Sequence, residues 1–218
     1  MLSGAVLVTA QAAPTGETLG QIEGQARDLV EHGARSEAVS VLQHALEAYG
    51  DTPLRKQIEA DISVYSLEGR QAPRLQPGMS IGPRLPAAKE LDGKVVLLFF
   101  WASWCAECRD ESAMIAGVWQ QYRDQGLVLI TPTQRYGFVE NGRPAAPDKE
   151  MPYIAKVRDA HYPFMRTVPT PVTDANYKQF GVNSTPMHVL IDRTGIIRLY
   201  QPGRITAEEL STAIRRLL

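Results

Sequence analysis

Two cysteines in 218 residues are too few for a disulfide-dense scaffold or a four-sulfur zinc site. An excess of either charge is also missing. The 23 basic residues face 24 acidic ones and form no cluster, so there is no electrostatic footprint for nucleic acid. No apolar run reaches the roughly 20 residues that a membrane-spanning helix needs. The longest, Val95 to Trp104, reads as a buried strand running into a turn. What is present suffices for a real core: 44% of residues are hydrophobic, with eight tyrosines, five phenylalanines and three tryptophans. That composition excludes wholesale disorder. The length suits one domain of roughly 100–150 residues with an extension, or two small domains.

The N-terminus carries a short apolar stretch, Leu2 to Thr9, and a small-x-small site, Ala10-Gln11-Ala12, before Ala13. Together they predict a truncated export signal over residues 1–12, although the positively charged n-region is missing. The alternative is an Ala-rich disordered terminus.

Residues 13–68 read as a helical extension. Leu19, Ile22, Ala26, Leu29 and Val30 form one apolar stripe that ends near His32-Gly33. Ala38, Val41, Leu42, Ala45, Leu46 and Tyr49 form a second, with Gly50 at its stop and Thr52-Pro53 as the expected cap of a third helix. Leu54, Ile58, Ile62 and Tyr65 continue the period. These helices resemble one and a half tetratricopeptide-like units, too few for a free solenoid. They read either as a cap on the main domain or as a site for a protein partner.

Gly69 to Pro86 is rich in Pro, Gly and Arg, and the linker is placed at 69–80. Beyond it, strands alternate with helices. Val95 to Trp101 and Leu127 to Ile130 are apolar runs of strand length, with a helix from Ala106 to about Gln125 between them. The stretch from Arg135 to Pro171 is long for a plain connection and reads as an insertion that shapes the surface near the site; within it Arg135 to Pro147 is polar and Pro147 to Ala160 looks helical. Pro163 to Pro171 should be extended. Pro186 to Ile191 and Ile196 to Tyr200 form a hairpin through Asp192-Arg193-Thr194-Gly195. Thr206 caps a last helix, with Glu208 and Glu209 in its first turn. The fold class is α/β, with an antiparallel edge to the sheet.

Cys105 and Cys108 stand where a buried strand gives way to a helix. Free backbone N–H groups and the positive helix end stabilise a thiolate there. Cys105 is the expected exposed nucleophile, and Cys108, one turn further in, the resolving thiol. Two alternatives stand beside this reading. One is half a zinc site, but His32, His44, His161 and His188 supply no paired spacing. The other is an inert structural disulfide.

Phe99-Phe100-Trp101-Ala102-Ser103-Trp104-Cys105-Ala106-Glu107-Cys108 resembles the active-site segment of thioredoxin-like proteins. Ser184-Thr185-Pro186, ahead of Val189-Leu190-Ile191, resembles that family's cis-proline loop. Leu91-Asp92-Gly93-Lys94, with Gly82 and Pro83 upstream, is similar to the exported TlpA/ResA-like branch of thiol-disulfide oxidoreductases. The likeness spans residues 81–218. It implies a thioredoxin fold, with a central mixed sheet flanked by helices, behind the helical extension. It implies Cys105 and Cys108 as a redox-active disulfide, and Glu111 as a catalytic acid-base group near the cysteines. Trp104, Thr185 and Pro186 would form the substrate-binding surface. Disulfides of other proteins would be the substrates, and a membrane or soluble thiol the electron donor. No organic cofactor or metal is called for, because the dithiol holds the electrons. The location implied is the bacterial periplasm.

The chain departs from the family in several places. Glu107 replaces a common proline between the cysteines, and its negative charge opposes a thiolate, which favours a reductant. Phe99 stands where cytosolic thioredoxin has a buried aspartate. Ala113 replaces a kinking proline, which predicts a straighter helix. His188 reads as a strand residue; a copper role with the cysteines is improbable. The competing functional reading is a non-catalytic interaction module. The peroxidatic Pro-x-x-x-Thr/Ser-x-x-Cys pattern is absent, which ranks peroxide reduction low.

Overall fold

The computed structural model describes residues 18–50 and 52–218, so the export-signal prediction lies outside the described residues. Helices α1 (Leu19–Glu31), α2 (Arg35–Tyr49) and α3 (Arg55–Tyr65) come first. Strand β1 (Met79–Ile81), helix α4 (Ala88–Leu91), strand β2 (Val95–Phe100) and helices α5 (Ala106–Asp110) and α6 (Ser112–Tyr122) follow. Strand β3 is Leu127–Ile130, and the short strands β4 (Phe138–Val139) and β5 (Arg143–Pro144) pair with each other. Next come α7 (Pro147–His161), β6 (Thr170–Val172), α8 (Asp174–Phe180), β7 (Met187–Ile191), β8 (Ile197–Pro202) and α9 (Ala207–Arg215).

Among the described residues the main sheet has four strands in the order β3-β2-β7-β8. β2 runs parallel to β3 and antiparallel to β7, and β7 antiparallel to β8. Every residue of β2 is buried, as its unbroken apolar run requires of a strand covered on both faces. Val95, Leu97 and Phe99 join the core on one face, with Ile115, Val118, Ile154 and Ile214. Val96, Leu98 and Phe100 join the other, with Tyr177 and Phe180 of α8. This is the expected mixed sheet flanked by helices. Among the described residues no helix is long and apolar enough to cross a membrane.

The first three helices have a small core of their own in Ile22, Ala26, Ala38, Leu42, Ala45 and Ile58. α2 has a second buried face that the single stripe did not predict. Val39, not Val41, is fully buried, and it packs into the sheet-side core with Phe180 and Tyr200. Ser36 shares that face; its hydroxyl donates to Asn183 Oδ1 at 2.6 Å, and Asn183 N–H donates back at 3.0 Å.

Three expectations need correction, and the linker has structure of its own. Thr52 does not cap the third helix: its hydroxyl donates to the Tyr49 carbonyl, and the helix starts at Arg55. Residues 69–80, placed as the linker, lie against the folded body. Ala72 and Leu75 pack on the core, and Met79–Ile81 pairs with Thr170–Val172, so backbone pairing outweighs the Pro/Gly content. Pro163–Thr167 is a 3-10 turn, and the chain becomes extended only afterwards. The helix after the cysteines is interrupted at Glu111 without any proline (φ −80°, ψ −9°), so Ala113 does not straighten it.

Candidate active site

The site lies at the end of β2, where the buried strand turns into α5. Trp101 anchors that turn. Its indole N–H donates to the Thr131 carbonyl at 3.2 Å, and its own carbonyl accepts from the Thr133 and Tyr177 hydroxyls at 2.7 Å each. Burial drives the Tyr177 and Tyr162 hydroxyls well above the usual phenol range, so both stay protonated and uncharged. Arg109 braces the turn from the helix side, donating to the Ser103 carbonyl at 2.7 Å.

Cys105 is the N-cap of α5, and a disulfide joins it to Cys108. Cys105 Sγ accepts from the Cys108 N–H at 3.0 Å, the orphan-donor contact that a helix N-terminus offers an electron-rich sulfur. Cys108 is fully buried. Cys105 is 3% exposed, so the expected exposed thiol is nearly covered in this oxidised form, its sulfur turned inward to its partner. Trp104 is half-exposed beside it and meets Tyr136 edge-on at 5.4 Å. Tyr136 lies at the start of the 135–171 insertion, and the Glu150 carboxylate holds that segment by accepting from the Tyr136 and Gly137 N–H groups.

The Thr185–Pro186 peptide bond is cis and immediately precedes β7, and both residues line a groove together with Glu107. Glu111 follows Cys108 by three residues, on the same side of the helical turn. It is 3% exposed, and its Oε1 accepts from the Ile205 N–H at 2.9 Å. Its Oε2 lies 3.4 Å from Nε2 of His188, which is fully buried. His188 stacks on Phe99, centroids 5.3 Å apart, because the two are cross-strand partners in β2 and β7. His188 is therefore part of the site and not only a strand residue. The signal for it was parity. His188 shares a face with Leu190 and stands opposite Phe99, on the side of the sheet that carries the cysteines. Glu150, fully buried and shaping the insertion, had no sequence signal that set it apart from its charged neighbours Asp148 and Lys149.

Comparison with known proteins bears on the family and the fold. The thioredoxin-like domain family matches residues 85–218, more than half of the chain. The thioredoxin-like protein YneN of Bacillus subtilis is 27% identical over 143 residues, which covers 66% of this chain and 76% of YneN. The thiol-disulfide oxidoreductase ResA of Bacillus thuringiensis is 24% identical over 149 residues, 68% of this chain and 78% of ResA. Among solved structures, the thioredoxin domain of a thiol-disulfide oxidoreductase from Bacteroides vulgatus superposes with a TM-score of 0.51 at 16% identity. That match covers 68% of this chain and 96% of the other, and bears on the fold alone. A thioredoxin fold with a Cys-x-x-Cys pair capping a helix defines a thiol-disulfide oxidoreductase. The chain belongs to the thioredoxin-like family, and its resemblance to the TlpA/ResA-like branch holds.

Proposed function

We propose that the chain reduces disulfides of exported proteins in the bacterial periplasm. The carrying observation is the Cys105–Cys108 pair at the α5 N-terminus, with Cys108 buried beneath it and a carboxylic acid one turn on. In the dithiol form, the Cys105 thiolate attacks one sulfur of the substrate disulfide. That bond breaks, a mixed disulfide forms, and the departing substrate sulfur takes up a proton. Glu111 accepts the proton of Cys108, whose thiolate attacks Cys105 Sγ and releases the second substrate thiol. Two electrons have passed to the substrate, and the chain is left in the disulfide form. A membrane or soluble thiol donor then reduces it again.

Thr185 and Pro186 flank the pair on one side, where the Thr185 backbone would meet an extended substrate segment. Trp104 flanks it on the other. Glu107, exposed in the first turn of α5, supports the reducing direction. The reduction potential is expected nearer the thioredoxin value of about −270 mV than the about −120 mV of the strongest disulfide donors. A glutathione titration that placed it at the latter would overturn the direction. The activity itself is tested by insulin reduction with dithiothreitol. The parent protein is expected to turn over and Cys105→Ser to be inactive, while Cys108→Ala accumulates mixed disulfides with its substrates. A parent protein without turnover would leave the non-catalytic interaction module.

A further inference from the structure

Beside the redox pair lies a groove of about 760 Å³ whose two walls come from different parts of the chain. One wall is the redox surface itself: Glu107, the Ser184–Pro186 loop and residues 201–204. The other is α2, which turns Ser40, Gln43, His44 and Glu47 toward it, with Arg55 of α3 at the end. The walls are fastened together. Besides the Ser36–Asn183 bonds, the Ser36 N–H donates to the Gly181 carbonyl at 2.9 Å and the Glu37 N–H to Asn183 Oδ1 at 3.1 Å. Gln43 Nε2 donates to Gln201 Oε1 at 3.2 Å. Asn183 is two residues from Thr185, so α2 is bonded to the loop that presents the cis-proline.

The charges in the groove are unequally engaged. Arg55 is paired with Glu59 at 2.8 Å and Arg204 with Asp110 at 3.4 Å, both partners lying outside the lining. Glu47 and Glu107 make no ion pair among the described residues. The groove therefore offers a substrate two uncommitted carboxylates, one on each wall.

We infer that α2 is a wall of the substrate site, and that the groove takes an extended polypeptide segment carrying a basic side chain beside its disulfide-bonded cysteine. The inference rests on the proposed thiol-disulfide function and adds a recognition surface to it. An extended segment meets the backbone at Thr185 on one side, and its basic side chain lies between Glu47 and Glu107. The helical extension is then a specificity element, and its position against the Asn183 loop is what places it there.

The test compares three disulfides: cystine, and the disulfide-linked dimers of two twelve-residue peptides with a central cysteine flanked by lysines or by glutamates. The readout is the ratio of kcat/KM for each peptide to that for cystine, measured at low salt. The wild-type ratio is expected to favour the lysine peptide over the glutamate peptide by about fivefold, the upper end for one exposed ion pair. That preference should shrink as salt screens the carboxylates. Glu47→Gln is expected to lower the lysine-peptide ratio, and Ser40→Trp, which fills the groove from α2, to lower both peptide ratios. Glu47 is exposed on its helix, so Glu47→Gln still reports if Ser40→Trp proves unstable. Equal wild-type ratios for the two peptides would overturn the inference. So would variants that keep the wild-type ratios, including variants that slow all three disulfides in parallel. Failure of the wild type to reduce any of the three would instead sink the underlying function.

Discussion

The Glu111–His188 contact is the least expected feature at the level of single side chains. Both side chains are buried, and Glu111 Oε2 lies 3.4 Å from His188 Nε2. Removing one leaves the other in the core without its counterpart, which costs roughly 1–3 kcal/mol for a buried polar group. Glu111→Gln and His188→Leu are each expected to destabilise by about that much, and the double variant by less than their sum. Urea unfolding of the four proteins measures the coupling; strict additivity would show that the two do not interact. The sequence pointed to Glu111 through the family pattern. It did not show His188, because a strand position reveals its face only once the register against β2 is known. That register sets His188 directly opposite Phe99, which turns its imidazole to the face that carries the cysteines.

Among the elements, the hairpin of β7 and β8 turns on Asp192. Its Oδ1 accepts from the Thr194 hydroxyl at 2.7 Å and from the Thr194 and Ile196 N–H groups, while Oδ2 meets Arg198 at 2.6 Å. Partial burial alone would raise this carboxyl. The bonds from Thr194, Arg198 and the backbone outweigh it and hold Asp192 well below the usual carboxylate range. A carboxyl depressed in the folded state stabilises the fold above its unfolded value of about 3.9 and loses that contribution as pH falls through the folded value. Asp192→Asn is therefore expected to be less stable at neutral pH and to show a flatter decline below about pH 4. Thermal melts across that range check it; parallel curves for the two proteins would contradict it. The turn was legible because Asp192-Arg193-Thr194-Gly195 carries its own chemistry, with Gly195 at φ 84°. The break at Glu111 was not, because no proline or glycine marks it.

The molecule as a whole joins the helical extension to the sheet through Val39, Ser36 and Asn183, so the two should unfold together. All three tryptophans lie between residues 101 and 119, so fluorescence reports only on the redox region, whereas far-UV circular dichroism reports on every helix. The two denaturant transitions are expected to coincide. Val39→Asp, which buries a charge where α2 meets the sheet, is expected to lower the midpoint and separate them. Coincident transitions in that variant would mean that Val39 does not couple the two parts.

Local chemistry settled much of this protein in advance. The apolar run of β2, the Cys-x-x-Cys pair at a helix start, the hairpin turn and the capped last helix are each written within a few consecutive residues. Their physics is short-ranged: burial period, orphan N–H groups and turn conformation need only neighbours in the chain. Tertiary structure alone decided the remainder. It set His188 against Glu111, Tyr136 against Trp104 and α2 beside the redox pair, and drew residues 69–80 onto the core. Those contacts join distant positions, from 32 residues apart for Trp104 and Tyr136 to 147 for Ser36 and Asn183, and pattern along the chain carries no information about which distant surfaces will meet.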